Sequence, residues 1–334
     1  MLPRDVRKAI RGLLPRRLVA EPHVPASEID REHVTWAYRI LLDREPESEE
    51  VIRSKLVWRD TRQLRRDFMG SQEFIANNPD FTYATERNVI IKELDGGVRL
   101  FVDLADLFVG LNIIKGRYEQ DELTFVRHNV RSGQHVLDVG ANVGLYAMTM
   151  AVLVGPSGHV SAFEPFPGNA ELLSRAIVEN SFEDRVTLVR AAVGELPSSA
   201  MLVFVRRTIN SGGAYLQPKG ARVPHGHDTE PVPVVTLDDA VTRRPVHFVK
   251  IDVEGAEALA FRGATRILRE DRPLILSEVH GPQLQRVSGC RPAQLIAEME
   301  ARGYACHLLA AGALGPRVRE LPDDILRSVV FAPV

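Results

Sequence analysis

Cysteine is nearly absent: Cys290 and Cys306 are the only two in 334 residues. Two thiols cannot build the disulfide framework of a small secreted scaffold, so a reducing compartment, the cytoplasm, is expected. Long apolar runs are also missing. None approaches the roughly 18 residues needed to span a bilayer, and the first twenty residues hold no apolar core of the kind a secretory signal needs. Charge of one sign is lacking too, with 42 Lys and Arg against 44 Asp and Glu, a formal net charge of −2. Without a basic face on the core, no nucleic-acid partner is expected. What is there, 45% apolar and 26% charged residues, suits a globular chain with one large α/β domain and a smaller companion.

Four segments separate. Residues 1–27 form a basic N-terminal tail, in which Arg4, Arg7, Lys8, Arg11, Arg16 and Arg17 face a single acid, Asp5. Val6, Ile10, Leu13 and Leu14 could share a helical face. The tail suits weak contact with an anionic membrane surface or a protein; a solvated tail explains it more simply. Residues 28–80 read as a helical module. "HVTWAYRILL" places Val34, Ala37, Ile40 and Leu41 on one face, "LRRDFMGSQEFI" continues the period, and "DREPES" reads as a turn with Pro46 near the next helical turn. Residues 81–132 read as a hairpin around Asp95, Gly96 and Gly97 followed by a lead-in helix.

From 133 to 334 short apolar strands alternate with helices. The strands are "HVLDV", "HVSAFEP", "RVTLVRAAV", "VHFVKIDV", "PLILSEVH", "YACHLLA" and "SVVFAPV"; the helices fall at 146–153, 169–180, 256–268 and 292–302. The pattern predicts a mostly parallel seven-stranded sheet covered on both faces, ending in an antiparallel hairpin. An insertion at 201–237 breaks the alternation and is expected to lie over the site as a lid, with Asn210 and Ser211 as hydrogen-bonding groups and Gly212 and Gly213 as a hinge.

The stretch "HVLDVGANVGLYAMTMAVLVGPSGHVSAFEP" looks like a nucleotide-binding fingerprint that fails the dinucleotide version. Gly140 and Gly144 let the turn bend sharply and approach a ligand. Asn142 stands where glycine is common and tolerates left-handed geometry, and Leu145 replaces the last small residue. Asp138 would repel a pyrophosphate but attract a ligand's ammonium group. Glu164 ends the next strand, where a carboxylate can accept bonds from ribose hydroxyls. An amino-acid end and an adenosine end together describe S-adenosylmethionine, with its carboxylate at the start of the following helix.

"GRYEQDE", "VLDVGANVGLYA", "GHVSAFEPFPGNAELL", "VVTLDDAV", "VKIDVEGAEALAFRGA" and "RPLILSEVH" follow one another with compatible spacing. On these pieces, residues 115–280 resemble the FkbM family of S-adenosylmethionine-dependent O-methyltransferases. The resemblance implies a class I methyltransferase fold, Rossmann-like, and methyl transfer to a hydroxyl of a sugar, glycan or glycosylated natural product. Carried over by position, Asp138, Gly140, Ala141, Asn142 and Gly144 form the cofactor loop and Glu164 holds the ribose, with Pro165 beside it. Tyr118 and Glu119 match the segment that precedes the core as a lid. No acid follows the third strand, so backbone and apolar contact around Ala192 are expected at the adenine. Residues 34–74 resemble a small helical module of bacterial surface-associated and glycan-modifying proteins, which tilts the acceptor toward carbohydrate.

Transfer to a hydroxyl needs a proton acceptor. Lys250 and Asp252 share one strand face, as do Glu278 and His280. Asp252 or His280 is expected to act as general base, with Glu254 and Glu278 orienting the acceptor; Glu257 sits where acids simply favour a helix start. Asp252 with Glu278, or His225, His227 and Asp228, could offer metal ligands, but no metal is expected. The rival readings are an NAD-dependent dehydrogenase or epimerase, against which Asp138, Asn142 and Leu145 speak, and a non-catalytic scaffold that binds the cofactor.

Overall fold

The computed structural model describes residues 29–58, 61–69, 71–77, 89–205, 210–218 and 220–334. The basic tail lies outside them. Two units separate, residues 1–77 and 78–334. No helix among the described residues is long and apolar enough to cross a membrane.

In the first unit α1 (Arg31–Leu42) starts on Asp30, whose carboxylate accepts from the His33 backbone N–H at 2.9 Å, and stops at Asp43 in the left-handed region. The face expected from Val34, Ala37, Ile40 and Leu41 is not the one that packs. Val34, Tyr38 and Leu42 are buried and Ile40 is 72% exposed. Tyr38 wins because its ring meets Phe68 edge-on at 4.8 Å between centroids, and spacing by four residues keeps the three on one line. Ser48, two residues beyond Pro46, caps α2 (Glu49–Lys55). Helices α3 (Thr61–Met69) and α4 (Gln72–Asn77) add Leu64, Phe68 and Phe74 to the same small core.

The second unit opens with the expected hairpin, β1 (Val89–Glu93) and β2 (Arg99–Asp103). It does not stand apart from the α/β domain. Asn180, at the end of a core helix, accepts from the Arg99 backbone N–H and donates to the Arg99 carbonyl, and Leu100 and Val102 are sealed into the main core. Helices α5 (Gly110–Ile114) and α6 (Gln120–Asn129) lead to β3 (His135–Val139), α7 (Leu145–Val154), β4 (His159–Phe163) and α8 (Pro167–Glu179).

The stretch read as one strand over "RVTLVRAAV" divides. β5 (Val186–Val189) closes the main sheet, whereas β6 (Ala192–Val193) joins β7 (Ser198–Val205), β8 (Tyr215–Leu216) and β9 (His227–Val235) in a four-stranded sheet ordered β6-β9-β7-β8. The insertion is therefore a small sheet with its own core of Phe166, Leu202, Val232 and Val234. The chain continues through α9 (Leu237–Ala240), β10 (Phe248–Ile251), α10 (Glu257–Arg262), β11 (Leu274–His280), α11 (Gly281–Ser288), α12 (Pro292–Ala301), β12 (Tyr304–Ala310), β13 (Ala313–Arg317) and β14 (Leu326–Pro333). The expected helix over 256–268 is broken: α10 ends at Arg262, and after a turn at Gly263 a second helical segment includes the π-helical turn Ile267–Asp271.

The main sheet has eight strands, not seven, ordered β13-β12-β14-β11-β10-β3-β4-β5. β11, β10, β3, β4 and β5 run parallel. The last two expected strands do pair antiparallel, but not as a simple hairpin: β14 enters between β11 and β12, and β13 takes the edge. Val329, Val330 and Phe331 explain this, since three consecutive fully buried residues need cover on both faces and an edge would expose them. This mostly parallel sheet, with β14 and the edge strand β13 antiparallel to the rest, is the class I methyltransferase fold. Its strand carboxyl ends at β3, β4, β10 and β11 converge on one cavity.

Candidate active site

The turn after β3 holds Gly140 at φ 83, Asn142 at φ 51 and Gly144 at φ 98. Asn142 thus takes the expected left-handed place. The glycines serve the chain's own packing, and Gly140 also lines the cavity. A Cβ on Gly140 would lie 1.8 Å from the Asp252 carbonyl oxygen, and one on Gly144 2.5 Å from Leu173 Cδ1. Gly140→Ala is therefore expected to cost roughly 2–5 kcal/mol from left-handed strain and overlap together. Gly97→Ala, at φ 77 with no atom within 4 Å, should cost only about 1–2 kcal/mol. Equal losses for the two in chemical denaturation would contradict this.

Glu164 ends β4 and is buried. Its Oε2 accepts the Asn142 N–H at 2.7 Å and its Oε1 the Phe166 N–H at 2.8 Å. Burial pushes its pKa up to about 7 despite those two donors. Each oxygen keeps a second lone pair, and the residue lines the cavity beside Pro165, Ala141 and Ala192.

Asp138 departs from expectation. It is fully buried, only the Ala147 backbone N–H approaches its carboxylate, and it does not line the cavity. It pairs across the sheet with Lys250, on the strand face that Asp252 shares. Burial raises its pKa to about 6, with the Lys250 charge pulling the other way.

Lys250 is the cation of this site. It is 6% exposed, its Nζ stands 3.4 Å from Asp252 Oδ2, and it lies 4.7 Å above the Tyr146 ring. Burial opposes its charge, but Asp252, Glu119, Asp138 and Glu278 hold the proton on and raise its pKa. Glu119 immediately precedes α6 in a left-handed conformation, φ 43, and accepts the Tyr146 hydroxyl at 2.6 Å. Burial raises its pKa against the pull of Lys250. Glu278 is pushed up to about 9 by the Asp252 charge, then by burial and by Glu119 and Glu254. Carboxylate oxygens of Glu119, Asp252 and Glu278 lie within 4.8 Å of one another.

Lys250, Asp252, Glu254 and Glu278 all line the cavity; His280 does not. His280 Nδ1 meets Glu254 at 4.0 Å, and that carboxylate raises the imidazole's pKa. Glu257 also misses the cavity. Its Oε1 accepts the Val253 and Gly255 N–H groups, so it holds the turn, while burial lifts its pKa to about 7. His225, His227 and Asp228 form no metal cluster among the described residues; the His227 ring instead faces the His225 carbonyl. Ser211 is not free for an acceptor: its N–H, hydroxyl and carbonyl are bound by Asp106, Asn142 and Asn169. The sequence reading passed over Tyr146 and Asp106, although an acid inside "FVDLADLFVG" was a signal, since acids do not enter apolar runs unpartnered.

The cavity is partly open to solvent. Its floor gathers four carboxylates around one lysine, which suits a ligand carrying positive charge.

A family model described as the methyltransferase FkbM domain matches residues 138–306 of the 334. The 31-O-demethyl-FK506 methyltransferase FkbM of Streptomyces tacrolimicus is 28% identical over 182 residues, 47% of this chain and 70% of its own. A protein-L-isoaspartate O-methyltransferase of Methanothrix thermoacetophila is 47% identical over 47 residues, 14% of this chain and 22% of its own. Methyltransferase FkbM of Methylobacillus flagellatus, a solved structure, aligns at 17% identity with a TM-score of 0.39, over 88% of this chain and 58% of its own. The chain thus spans about a fifth of the isoaspartate enzyme and 58% of the M. flagellatus protein. S-adenosylmethionine, with its sulfonium and ammonium groups, is the cofactor, and the acid-rich floor fits it. The chain belongs to the FkbM family of methyltransferases.

Proposed function

We propose that the chain transfers a methyl group to a hydroxyl oxygen of a sugar, a glycan or a glycosylated natural product. The observation that carries this reading is the convergence of Glu119, Asp252 and Glu278 beside Lys250 in the cavity wall. A hydroxyl acceptor must lose its proton as it reacts, and carboxylates are also good partners for sugar hydroxyls. The S. tacrolimicus relative, named for 31-O-demethyl-FK506, supports an oxygen acceptor.

The bound cofactor supplies a methyl carbon made electrophilic by the attached sulfonium. Glu164 would accept bonds from the ribose with its remaining lone pairs, Ala141, Pro165 and Ala192 would flank the adenosine, and the start of α7 would offer N–H groups to the methionine carboxylate. Asp252 takes the acceptor's proton, with Lys250 as the positive charge beside it. Glu278 keeps its own proton up to about pH 9 and donates a hydrogen bond to the acceptor. Glu254 orients a further hydroxyl.

The acceptor's KM should therefore rise as pH passes about 9 and Glu278 loses that donor. Glu278→Gln, which keeps a donor and cannot titrate, should abolish the rise; a rise unchanged in that variant would remove Glu278 from acceptor binding. The acceptor class is tested by presenting methyl-labelled cofactor with glycosides and with their fully O-acetylated counterparts. Label should enter only the free glycosides. Label in neither, but in protein or amine acceptors, would overturn the reading.

A further inference from the structure

Asp106 is 2% exposed and does not line the cavity. Its Oδ1 accepts the N–H groups of Phe108 at 3.1 Å and Val109 at 2.9 Å, and its Oδ2 accepts the Ser211 N–H at 3.1 Å. The Ser211 hydroxyl bridges the Asp106 carboxylate and the Asn142 side-chain amide, 3.1 Å from Asn142 Oδ1, and Asn169 Nδ2 donates to the Ser211 carbonyl at 3.1 Å. Asn142 in turn donates its backbone N–H to Glu164. The neighbouring Gly212 is so close that a Cβ there would lie 3.1 Å from Val109 Cγ2.

A continuous chain of hydrogen bonds thus runs from Asp106 through Ser211 and Asn142 to Glu164. It joins the loop after β2, the insertion's turn and the turn after β3, which are about 100 residues apart at the first link. Every other member of that chain is a wall of the cavity. A buried carboxylate that accepts three N–H donors is strongly directional and expensive to leave half satisfied.

We infer that Asp106 is a positioning residue of the active site: through Ser211 it fixes Asn142 and Glu164, so the insertion sets the cofactor side of the cavity. The inference rests on S-adenosylmethionine as cofactor and not on the identity of the acceptor, so it stands or falls separately from hydroxyl methylation. One consequence is that substitutions in the insertion's turn, made to change the acceptor, also change cofactor affinity.

The test is calorimetric binding of S-adenosylhomocysteine to the full chain. Asp106→Asn, which turns an N–H toward the Ser211 N–H, and Ser211→Ala, which removes only the hydroxyl, should each weaken binding roughly three- to tenfold, the worth of one hydrogen bond. Because the first acts through the second, the double variant should bind no more weakly than the worse single one. A merely structural role would lower melting temperature and leave the affinity of the folded protein alone. Singles within about twofold of wild type, or losses that multiply in the double variant, would overturn the inference. If Asp106→Asn does not fold, Ser211→Thr decides: restored hydroxyl and restored affinity relative to Ser211→Ala support it, and equal affinity in Ser211→Ala and wild type overturns it.

Discussion

Asp252→Asn should lower turnover by about two to four orders of magnitude, the usual worth of a positioned general base, while cofactor binding survives. The substitution removes the proton acceptor but keeps the backbone carbonyl against which Gly140 packs. His280→Ala should behave quite differently. His280 lies outside the cavity wall and touches the site only through Glu254, at 4.0 Å. A loss of less than about tenfold is expected there, as for a group that merely tunes a neighbour. The measurement is kcat with saturating cofactor for both variants. If His280→Ala were the more damaging change, the base assignment would pass to the histidine.

Lys250→Met should destabilise the second unit by about 3–5 kcal/mol at pH 8, the cost of leaving buried charges without their partner, and lower its melting temperature on the order of 10 °C. Methionine fills nearly the same volume, so packing is not what is lost. The pH dependence identifies the cause. Asp138, Glu164, Glu257 and Glu278 are held at about 6, 7, 7 and 9, above their ordinary values. Acids raised in this way stabilise the fold while they keep their protons and lose that contribution as pH rises through the raised values. These four acids should therefore pull wild-type stability down between about pH 4 and 9, most steeply below pH 7, where all four still differ from the unfolded chain. Buried His135, pushed down to about 4, offsets part of that decline up to about pH 6.5. In Lys250→Met the decline should be steeper, and the deficit should shrink toward pH 5 as the carboxylates near position 250 take up protons. A deficit equal at pH 5 and pH 8 would show that Lys250 acts by packing alone.

Local pattern made much of this legible. His135–Val139 and Tyr304–Ala310 are the strands expected to the residue, and α7 differs by one residue at each end. Their apolar runs, bounded by turn residues, admit few alternatives. Asn142 in a left-handed turn was legible because it depends on its own backbone. Asp138 was expected to face the ligand but lies behind the cavity wall beside Lys250, and the packing of the two glycines on the Asp252 carbonyl and Leu173 was not legible, because those partners are remote in sequence. Alternation correctly put Glu278 and His280 on one strand face, yet it says nothing of depth. Two residues carry the chain about 6.5 Å along a strand, which takes the histidine out of the cavity wall. Glu119 was reached through family resemblance, but its meeting with Asp252 and Glu278 brings together groups 133 and 159 positions apart in the chain. The insertion does line the cavity, through Leu202, Asn210, Ser211 and Tyr215 among others, and its apolar run at 201–205 was legible as a strand; what was not legible is that β7 pairs with β6, β8 and β9 as a separate sheet.

The most direct test of the whole account is the fate of a ¹³C-labelled methyl group. Wild type and Asp252→Asn are incubated with labelled S-adenosylmethionine and a glycoside mixture, and the product's methyl carbon is assigned by NMR. The account predicts a methyl ether on a sugar hydroxyl, formed by wild type and nearly absent with Asp252→Asn. Label on nitrogen or carbon, or a methyl ether formed equally well by the variant, would contradict it.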